Sequence, residues 1–299
     1  MSVAVALLSF FLGGGLVLLG AFFLWRWSYA RRGFWWLVLS GIVPVGVMVL
    51  IAAVSGEVET AVGLIWGTVA TNLGWVGGVS LLTGWRLGHT LRAVWLWLSL
   101  VVIGCCLVSG KGTIGVFGGC ALLVVGLIAV WQAIDKKQIT VKCDLQEKAR
   151  RQGSVWRRFC GLVCGVFVVL AGIGLSCWQL VNIPAVFGMP TGLFAVVVMA
   201  PLFGVVPLLN LRRQQPLRVM RTLRALLWGS LILVTVGLGL VAIICGEIHL
   251  SSSMKLVVLP WVAGMLLVAI ASQFLPKKTT RWWGGLIVVL YFVLITNLF

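Results

Sequence analysis

Uninterrupted apolar runs of about 20 residues recur along the whole chain, and they limit its fold more than any other feature. A helix of about that length crosses a hydrocarbon core of roughly 30 Å. Of the 299 residues, 61% are hydrophobic and only 10% are charged, so polar surface is too scarce to cover a water-soluble globule of this size. We therefore predict an all-α polytopic membrane protein.

The apolar runs predict ten transmembrane helices in two groups of five. The predicted spans are 2–25, 34–55, 60–83, 93–109, 113–134, 158–181, 189–210, 222–245, 256–274 and 282–298. Residues 1–134 then hold the first five-helix repeat and residues 158–299 the second. Residues 135–157 carry mixed charge and few apolar side chains, which is typical of a solvated linker.

The positive charge of the chain follows membrane topology. A net charge of +17 would indicate nucleic acid as a partner for a soluble protein, but all Lys and Arg residues except Lys111 and Lys255 lie in the connections after odd-numbered spans or within the first three residues of the span that follows. By the positive-inside rule those connections, including the basic linker 135–157, are cytoplasmic and both termini are outside. We expect no nucleic-acid partner. Recruitment of anionic lipid or an acidic partner by this basic face is an alternative interpretation.

Two short stretches recur in the same order in the two halves. "GIVPV" is followed by "IWGTVATNLGWVGG", and "GVVPL" is followed by "LWGSLILVTVGLGL"; Pro44 precedes Trp66 by 22 positions and Pro207 precedes Trp228 by 21. A repeat unit with an odd number of spans enters the membrane from the opposite side the second time. Two inverted repeats of this kind are typical of secondary transporters, whose sites lie near the bilayer midplane.

The two prolines predict an interrupted helix in each half. Proline removes a backbone donor and clashes with the carbonyl four residues earlier, which frees backbone groups that hydrocarbon cannot satisfy. Those groups are expected to face a polar cavity, and Pro44 and Pro207 are therefore candidate site residues. The alternative is a simple kink made harmless by neighbouring Ser and Thr.

These residues resemble the Ca2+/cation antiporters, the family that includes the sodium/calcium exchangers. Its halves carry a "GTSLPE" turn on one helix and "AxGNxxGSNxxN" on the next. Here Pro44 stands at the signature proline, Gly56 and Glu57 follow 12 and 13 positions later, and "AVG" at 61–63 precedes Asn72 with the family's spacing. The second half matches at Pro207 and, after a one-residue slip, at Gly229 and Ser230. The resemblance implies ten helices in two inverted halves with outside termini.

The chain departs from the family at the residues that matter most for cations. The resemblance implies that a coordinating carboxylate follows each signature proline, but Val45 and Leu208 occupy these positions. Ca2+ prefers several oxygen ligands that include carboxylates, so conventional Ca2+ exchange is not expected. The neutral candidates that remain are Ser40, Thr68, Thr71, Asn72, Asn210, Ser230 and Thr235. Asn72 is the strongest, because it occupies a family ligand position and a buried amide needs partners.

This pattern is compatible with more than one function. The favoured one is a secondary transporter with the sodium/calcium exchanger-like fold, alternating access at a midplane site and altered or non-Ca2+ specificity for an inorganic ion or small solute. The alternative is a non-transporting membrane subunit or scaffold, which would have a membrane-protein partner. A drug/metabolite-type transporter fits less well, because its termini lie inside.

An enzyme is not expected, because no span offers an acid, base or activated nucleophile. We expect no cofactor and no metal site. The chain is expected to be surrounded by membrane lipids, as a multi-pass protein of a bacterial inner (plasma) membrane.

Overall fold

Apolar helices make up nearly all of the structure. The computed structural model describes residues 8–9, 11–17, 19–20, 34–82, 92–109, 113–135, 163–175, 183–185, 188–202, 216–274 and 279–298. The named helices are α1 (Phe34–Val54), α2 (Val58–Leu82), α3 (Arg92–Ser109), α4 (Val116–Asp135), α5 (Val163–Leu175), α6 (Thr191–Leu202), α7 (216–245), α8 (254–274) and α9 (Thr280–Asn297). Residues 11–17 and 19–20 are also helical and are called the first segment.

By length and composition, four stretches of the described chain can cross a membrane. They are Val58–Leu82, Thr222–Cys245, Met254–Ser272 and Thr280–Asn297. Each of the predicted spans contains described helical residues. The mostly helical, apolar architecture is therefore confirmed, while the number of crossings and the sides of the termini stay predictions.

The fold is not purely helical, and the all-α expectation is corrected at one place. Strand β1 (Thr113–Gly115) lies before α4 and pairs antiparallel with β2 (Glu247–His249), which follows α7. The register places Ile114 opposite Ile248, and both side chains are buried. Two connections thus satisfy their backbone groups with each other, which the separate apolar runs did not reveal.

The first segment and α5 cross at glycines. A Cβ added to Gly20 would lie 2.8 Å from the Gly165 carbonyl oxygen, and one added to Gly172 would lie 2.7 Å from the Gly13 carbonyl oxygen. Residue numbers increase along the first segment in the direction in which they decrease along α5, so the two helices are antiparallel. Small residues let backbones approach closely in membranes, where packing rather than a hydrophobic driving force holds helices together.

Helices α2 and α6 also pack backbone to backbone, but in parallel. Gly63 contacts the backbone of Gly192, and a Cβ added to Gly67 would lie 2.7 Å from the Val196 Cα. Residue numbers increase in the same direction along both helices at this contact, so α2 and α6 are parallel. Most of α2 is buried from Thr60 onward, so α2 is the central helix of the described chain.

Several helices contain π-helical turns. These turns cover Thr71–Gly77 in α2, Ala195–Met199 in α6, Leu233–Gly237 in α7 and Met254–Val258 in α8. A π-turn shifts the side chains that follow it around the helix axis, and such turns are often found at functional sites.

The contact between α2 and α9 provides a stability test. A Cβ added to Gly284 would lie 2.8 Å from the Gly78 carbonyl oxygen, whereas one added to Gly104 in α3 would meet nothing within 4 Å. We expect Gly284→Ala to lower the free energy of unfolding by about 1–3 kcal/mol through overpacking. Gly104→Ala is the matched control and should be neutral or slightly stabilising.

The measurement is the thermal unfolding midpoint of both variants in the same detergent. Equal midpoints for Gly284→Ala and Gly104→Ala would contradict the close α2–α9 contact.

Candidate functional site

The sequence-predicted residues of the first half meet α7 around a small cavity. It lies between α1, α2 and α7 and has room for about one water molecule. Its lining consists of Val38, Gly41, Ile42, Val45, Thr68, Asn72, Ala225, Leu226, Gly229 and Leu233. We call it the central cavity.

Pro44 does not interrupt its helix, so the prediction of a broken helix in the first half is wrong. Helix α1 runs continuously through Pro44, which is buried. Proline cannot donate to the carbonyl of Ser40, four residues earlier, but packing on α2 and α7 holds the helix together around this gap. The backbone of Ser40 lies in α1, and its side chain is outside the described residues.

Val45 lies fully buried in the wall of the central cavity. The resemblance implied a carboxylate at this position, and the structure places an isopropyl group there instead. Beside it, α1 and α7 approach closely, since a Cβ added to Gly229 would lie 3.2 Å from the Ile42 Cγ1. The cavity wall is therefore apolar on the α1 side.

Asn72 joins the two halves of the chain through a hydrogen bond. Its Nδ2 donates to the Ser230 Oγ at 3.0 Å, and the two residues are only 8% and 0% exposed. Thr68 also lines the cavity but donates to the Leu64 carbonyl of its own helix at 2.7 Å. Asn72 and Ser230 thus form a hydrogen bond between the halves. The Thr68 hydroxyl already donates its proton to its own helix.

Thr71 points to a different neighbour. Its Oγ1 lies 3.1 Å from the Tyr291 hydroxyl of α9, and either atom can donate. Tyr291 covers Gly74, where an added Cβ would lie 2.7 Å from the tyrosine Cγ. Trp75 and Phe292 extend this aromatic contact, with ring centroids 5.3 Å apart. Thr71 therefore anchors the π-turn of α2 to α9 and does not line the central cavity.

Of the remaining predicted residues, one lies away from the central cavity and three lie outside the described residues. Thr235 is fully buried, donates to the Leu231 carbonyl at 2.8 Å and packs against Gly126 of α4. It does not line the central cavity. Pro207, Leu208 and Asn210 lie outside the described residues.

A second cavity adjoins the first at Asn72 and Leu226. It has room for about one water molecule and lies among α2, α3, α7, α8 and α9. Its lining is Asn72, Leu73, Gly77, Leu81, Trp95, Leu223, Leu226, Leu227, Ala269 and Ile287. We call it the inner cavity, after the cytoplasmic side predicted for the adjacent helix ends.

The linings of both cavities are uncharged. Neither contains an acidic, basic or histidine side chain, and no group of three or more His, Cys, Asp or Glu residues in the described part of the chain could hold a metal ion. The polar atoms available are an amide, a threonine hydroxyl and the Trp95 indole. This donor set can hydrogen-bond a ligand, but it lacks the carboxylates that Ca2+ sites use.

Sequence reasoning missed Tyr291 and Trp95. Both lie in predicted spans, where their apolar bodies were indistinguishable from packing residues. For Tyr291 a weak signal existed, because it is one of only two tyrosines. For Trp95 there was none among 16 tryptophans, and only tertiary packing shows that it lines the same cavity as Asn72.

Comparison with solved structures shows the fold. The structure is similar to the sodium-calcium exchanger NCX_Mj soaked with 100 mM Na+ and 10 mM Sr2+, with a TM-score of 0.69, 17% identity and 99% coverage of both chains. It is also similar to the H+/Ca2+ exchanger CAX, with a TM-score of 0.66, 16% identity and coverage of 98% of this chain and 88% of that one. No protein-family model matches the chain, and no curated protein matches it by sequence.

The described helices thus have the fold of integral membrane cation exchangers. The apolar helices fit a membrane protein, and the two solved structures named above are ion exchangers. At these identities the likeness concerns the arrangement of the chain, and the ligand depends on the site residues.

A double-mutant cycle tests the bond between the halves. Asn72→Ala and Ser230→Ala should each lower the free energy of unfolding, and their effects should be coupled by about 0.6–1.7 kcal/mol, the range for hydrogen bonds between membrane helices. The measurement is equilibrium unfolding of the four proteins in mixed micelles.

The matched control is a second cycle in which Thr235→Ala takes the place of Ser230→Ala. The Thr235 hydroxyl bonds to its own helix and not to Asn72. Asn72→Ala and Thr235→Ala should be additive. Additivity for Asn72 and Ser230 as well would count against the hydrogen bond.

Proposed function

We propose that the protein is a secondary membrane transporter with the sodium/calcium exchanger-like fold, which works by alternating access at a midplane site and has altered or non-Ca2+ specificity. The observation that carries this proposal is an exchanger-like fold whose central cavity is lined by Val45, Thr68 and Asn72 with no carboxylate. The substrate is a monovalent ion or a small neutral or anionic solute.

Paired structural features support two inverted repeats. The π-turns that begin at Thr71 and at Leu233 are 162 positions apart, as are Trp66 and Trp228. The same spacing separates the two π-turns and the two tryptophans. It therefore does not depend on how common Gly and Val are in the chain. Equivalent irregular turns in two halves are the expected place for a transporter site.

A second pairing involves the first segment and α5. Gly13, Val17 and Gly20 stand 152 positions before Gly165, Val169 and Gly172. The members of the two sets contact each other reciprocally, with Gly20 on the 165–169 backbone and Gly172 on the 13–17 backbone. Reciprocal contacts of this kind are typical of two elements related by a twofold axis.

Helix directions support alternating crossings. The first segment and α5 belong to predicted spans one and six and are antiparallel, whereas α2 and α6 belong to spans three and seven and are parallel. Because β1 pairs with β2, the connections after spans four and eight lie together, which supports placing both on the same side of the membrane. With the basic residues, these features favour outside termini and a cytoplasmic linker at 135–157.

The uncharged lining supports a specificity other than Ca2+. A divalent cation that left water for this cavity would meet no opposing charge, and uncompensated charge in a membrane interior is costly. Val45 fills the position where the family resemblance implies a carboxylate. Leu208 is its counterpart in the second half.

A flux assay in proteoliposomes tests the proposal. Purified protein should catalyse saturable uptake of K+, Na+ or a small solute, and Asn72→Ala should reduce that uptake. Thr235→Ala is the matched control, because its buried hydroxyl lies away from both cavities. Folding of each preparation is verified by size-exclusion chromatography.

Ca2+ uptake should be absent from the same vesicles, because no carboxylate lines the cavity. Uptake of radioactive Ca2+ driven by a Na+ or H+ gradient would contradict the altered specificity. Absence of flux for every ion and solute, with folded protein, would contradict transport itself.

The alternative function is a non-transporting membrane subunit or scaffold. It is favoured by the small central cavity, which the Asn72–Ser230 bond closes between the halves. Copurification of a stoichiometric membrane-protein partner from native bacterial inner membranes, together with absence of flux, would support it.

A further inference from the structure

A hydrogen bond between two helices lies directly beside Asn72. The Thr71 Oγ1 lies 3.1 Å from the Tyr291 hydroxyl of α9, and these two residues are only 1% and 3% exposed. Thr68 and Thr235 donate instead to the carbonyl four residues earlier in their own helices, a bond that is open to a threonine within any helix. The bond of Thr71 therefore depends on where α9 lies.

The ring of Tyr291 is held in place on several sides. Gly74 has no side chain, and an added Cβ there would lie 2.7 Å from the Tyr291 Cγ, so the ring lies directly on the α2 backbone. The Trp75 ring is tilted against it at 48°, with centroids 6.2 Å apart. The Phe292 ring meets it edge to face, with centroids 6.0 Å apart. These contacts fix the ring and so direct its hydroxyl at Thr71.

A second pair of helices crosses in the same way. An added Cβ at Gly284 of α9 would lie 2.8 Å from the Gly78 carbonyl oxygen of α2. One at Gly239 of α7 would lie 2.8 Å from the Gly119 carbonyl oxygen of α4. Among the predicted spans, α2 and α7 are each the third of their half, and α4 and α9 are each the fifth. The α4–α7 crossing is therefore the matched comparison for the α2–α9 crossing.

The two crossings place their large and small residues in opposite order. Seven residues after the crossing glycine, α9 has Tyr291 and α4 has Gly126. Four residues before the crossing glycine, α2 has Gly74 and α7 has Thr235. Tyr291 covers Gly74, whereas Gly126 faces Thr235, whose hydroxyl bonds to its own helix. At these matched positions, the hydroxyl bond across the crossing is made in the half that carries the Asn72 amide.

The bond to Tyr291 is made by the irregular turn that also carries Asn72. The π-turn of α2 begins at Thr71, and Asn72 is its second residue. π-turns are rare, and inserting one residue into a helix rotates the side chains around it by about 100°, the rotation per residue of an α-helix. A rotation of that size would take the Asn72 Nδ2 away from the Ser230 Oγ, which now lies 3.0 Å from it. The direction of the amide therefore depends on what holds the turn.

We propose that Tyr291 is a positioning residue for the site: its hydroxyl, bonded to Thr71, holds the π-turn of α2 in the rotation that directs the Asn72 amide at Ser230. Tyr291 does not line the central cavity and acts through Thr71. Its effect on uptake rests on the proposed function, because Asn72 is the amide that lines the central cavity. Its effect on the direction of the amide does not.

The test uses the full chain with 15N-labelled asparagine in detergent micelles. The chain has four asparagines, and the side-chain amide peaks of Asn72 are assigned by their absence in Asn72→Ala. Ser230→Ala removes the acceptor and gives the peak positions of the amide without its bond. Tyr291→Phe keeps the ring and removes only the hydroxyl. We expect it to move the Asn72 peaks most of the way to the Ser230→Ala positions.

Substitutions of two threonines are the controls. Thr71→Val removes the partner hydroxyl and should move the Asn72 peaks as Tyr291→Phe does, so it also decides the question if Tyr291→Phe does not fold. Thr71→Ser keeps a hydroxyl and should leave the peaks at the wild-type positions. Thr235→Val removes a buried hydroxyl that bonds to its own helix and should also leave them in place.

The outcomes separate this role from transport. Wild-type Asn72 peaks in Tyr291→Phe and Thr71→Val, or an equal displacement in Thr235→Val, would overturn the role of Tyr291 even if uptake is found in proteoliposomes. Where uptake is found, Tyr291→Phe should reduce it as Asn72→Ala does. If no ion or solute is taken up, the spectra still decide the role of Tyr291, and only the transport proposal fails.

Discussion

Satisfaction of backbone polar groups without water is the constraint on which this structure depends. In hydrocarbon every N–H and C=O must find a partner within the protein, so the apolar runs become helices. The same requirement explains how Pro44 is tolerated, because its helix is continuous and buried against α2 and α7. It also explains why β1 and β2 pair where two connections meet.

Close packing through glycine follows from the same environment. Helices in a membrane are not driven together by exclusion of water, so contact area and short backbone distances carry their association. Gly63, Gly172 and Gly284 lie where a Cβ would collide with a neighbouring backbone. The contacts of Gly63 and Gly284 hold α2 against α6 and α9, and Asn72 of the same helix lies 3.0 Å from Ser230 of α7.

The resulting site differs in kind from a hard-cation site. Val45 is apolar, Thr68 bonds to its own helix, and of these three residues Asn72 alone bonds to the other half of the chain. The residue 162 positions after Asn72 is Val234, which is fully buried. That position therefore offers no amide, and Thr68, 162 positions before Ser230, bonds to its own helix instead of across the site.

The sequence by itself determined the class of the fold and gave several candidate residues that line the central cavity. Apolar runs, basic connections and the Pro44–Trp66 and Pro207–Trp228 spacings indicated a helical membrane protein with exchanger-like architecture, because period and charge are local properties. Asn72 and Ser230 were predicted from the family resemblance, which places Asn72 at a ligand position, and from their being neutral polar residues within apolar runs. Only tertiary structure decided that these two bond, that Thr71 meets Tyr291 instead, that Thr235 lies away from the cavities and that Trp95 lines one. Those outcomes depend on helix rotation and on π-turns, which shift side chains around the axis and are not encoded in a hydrophobic pattern.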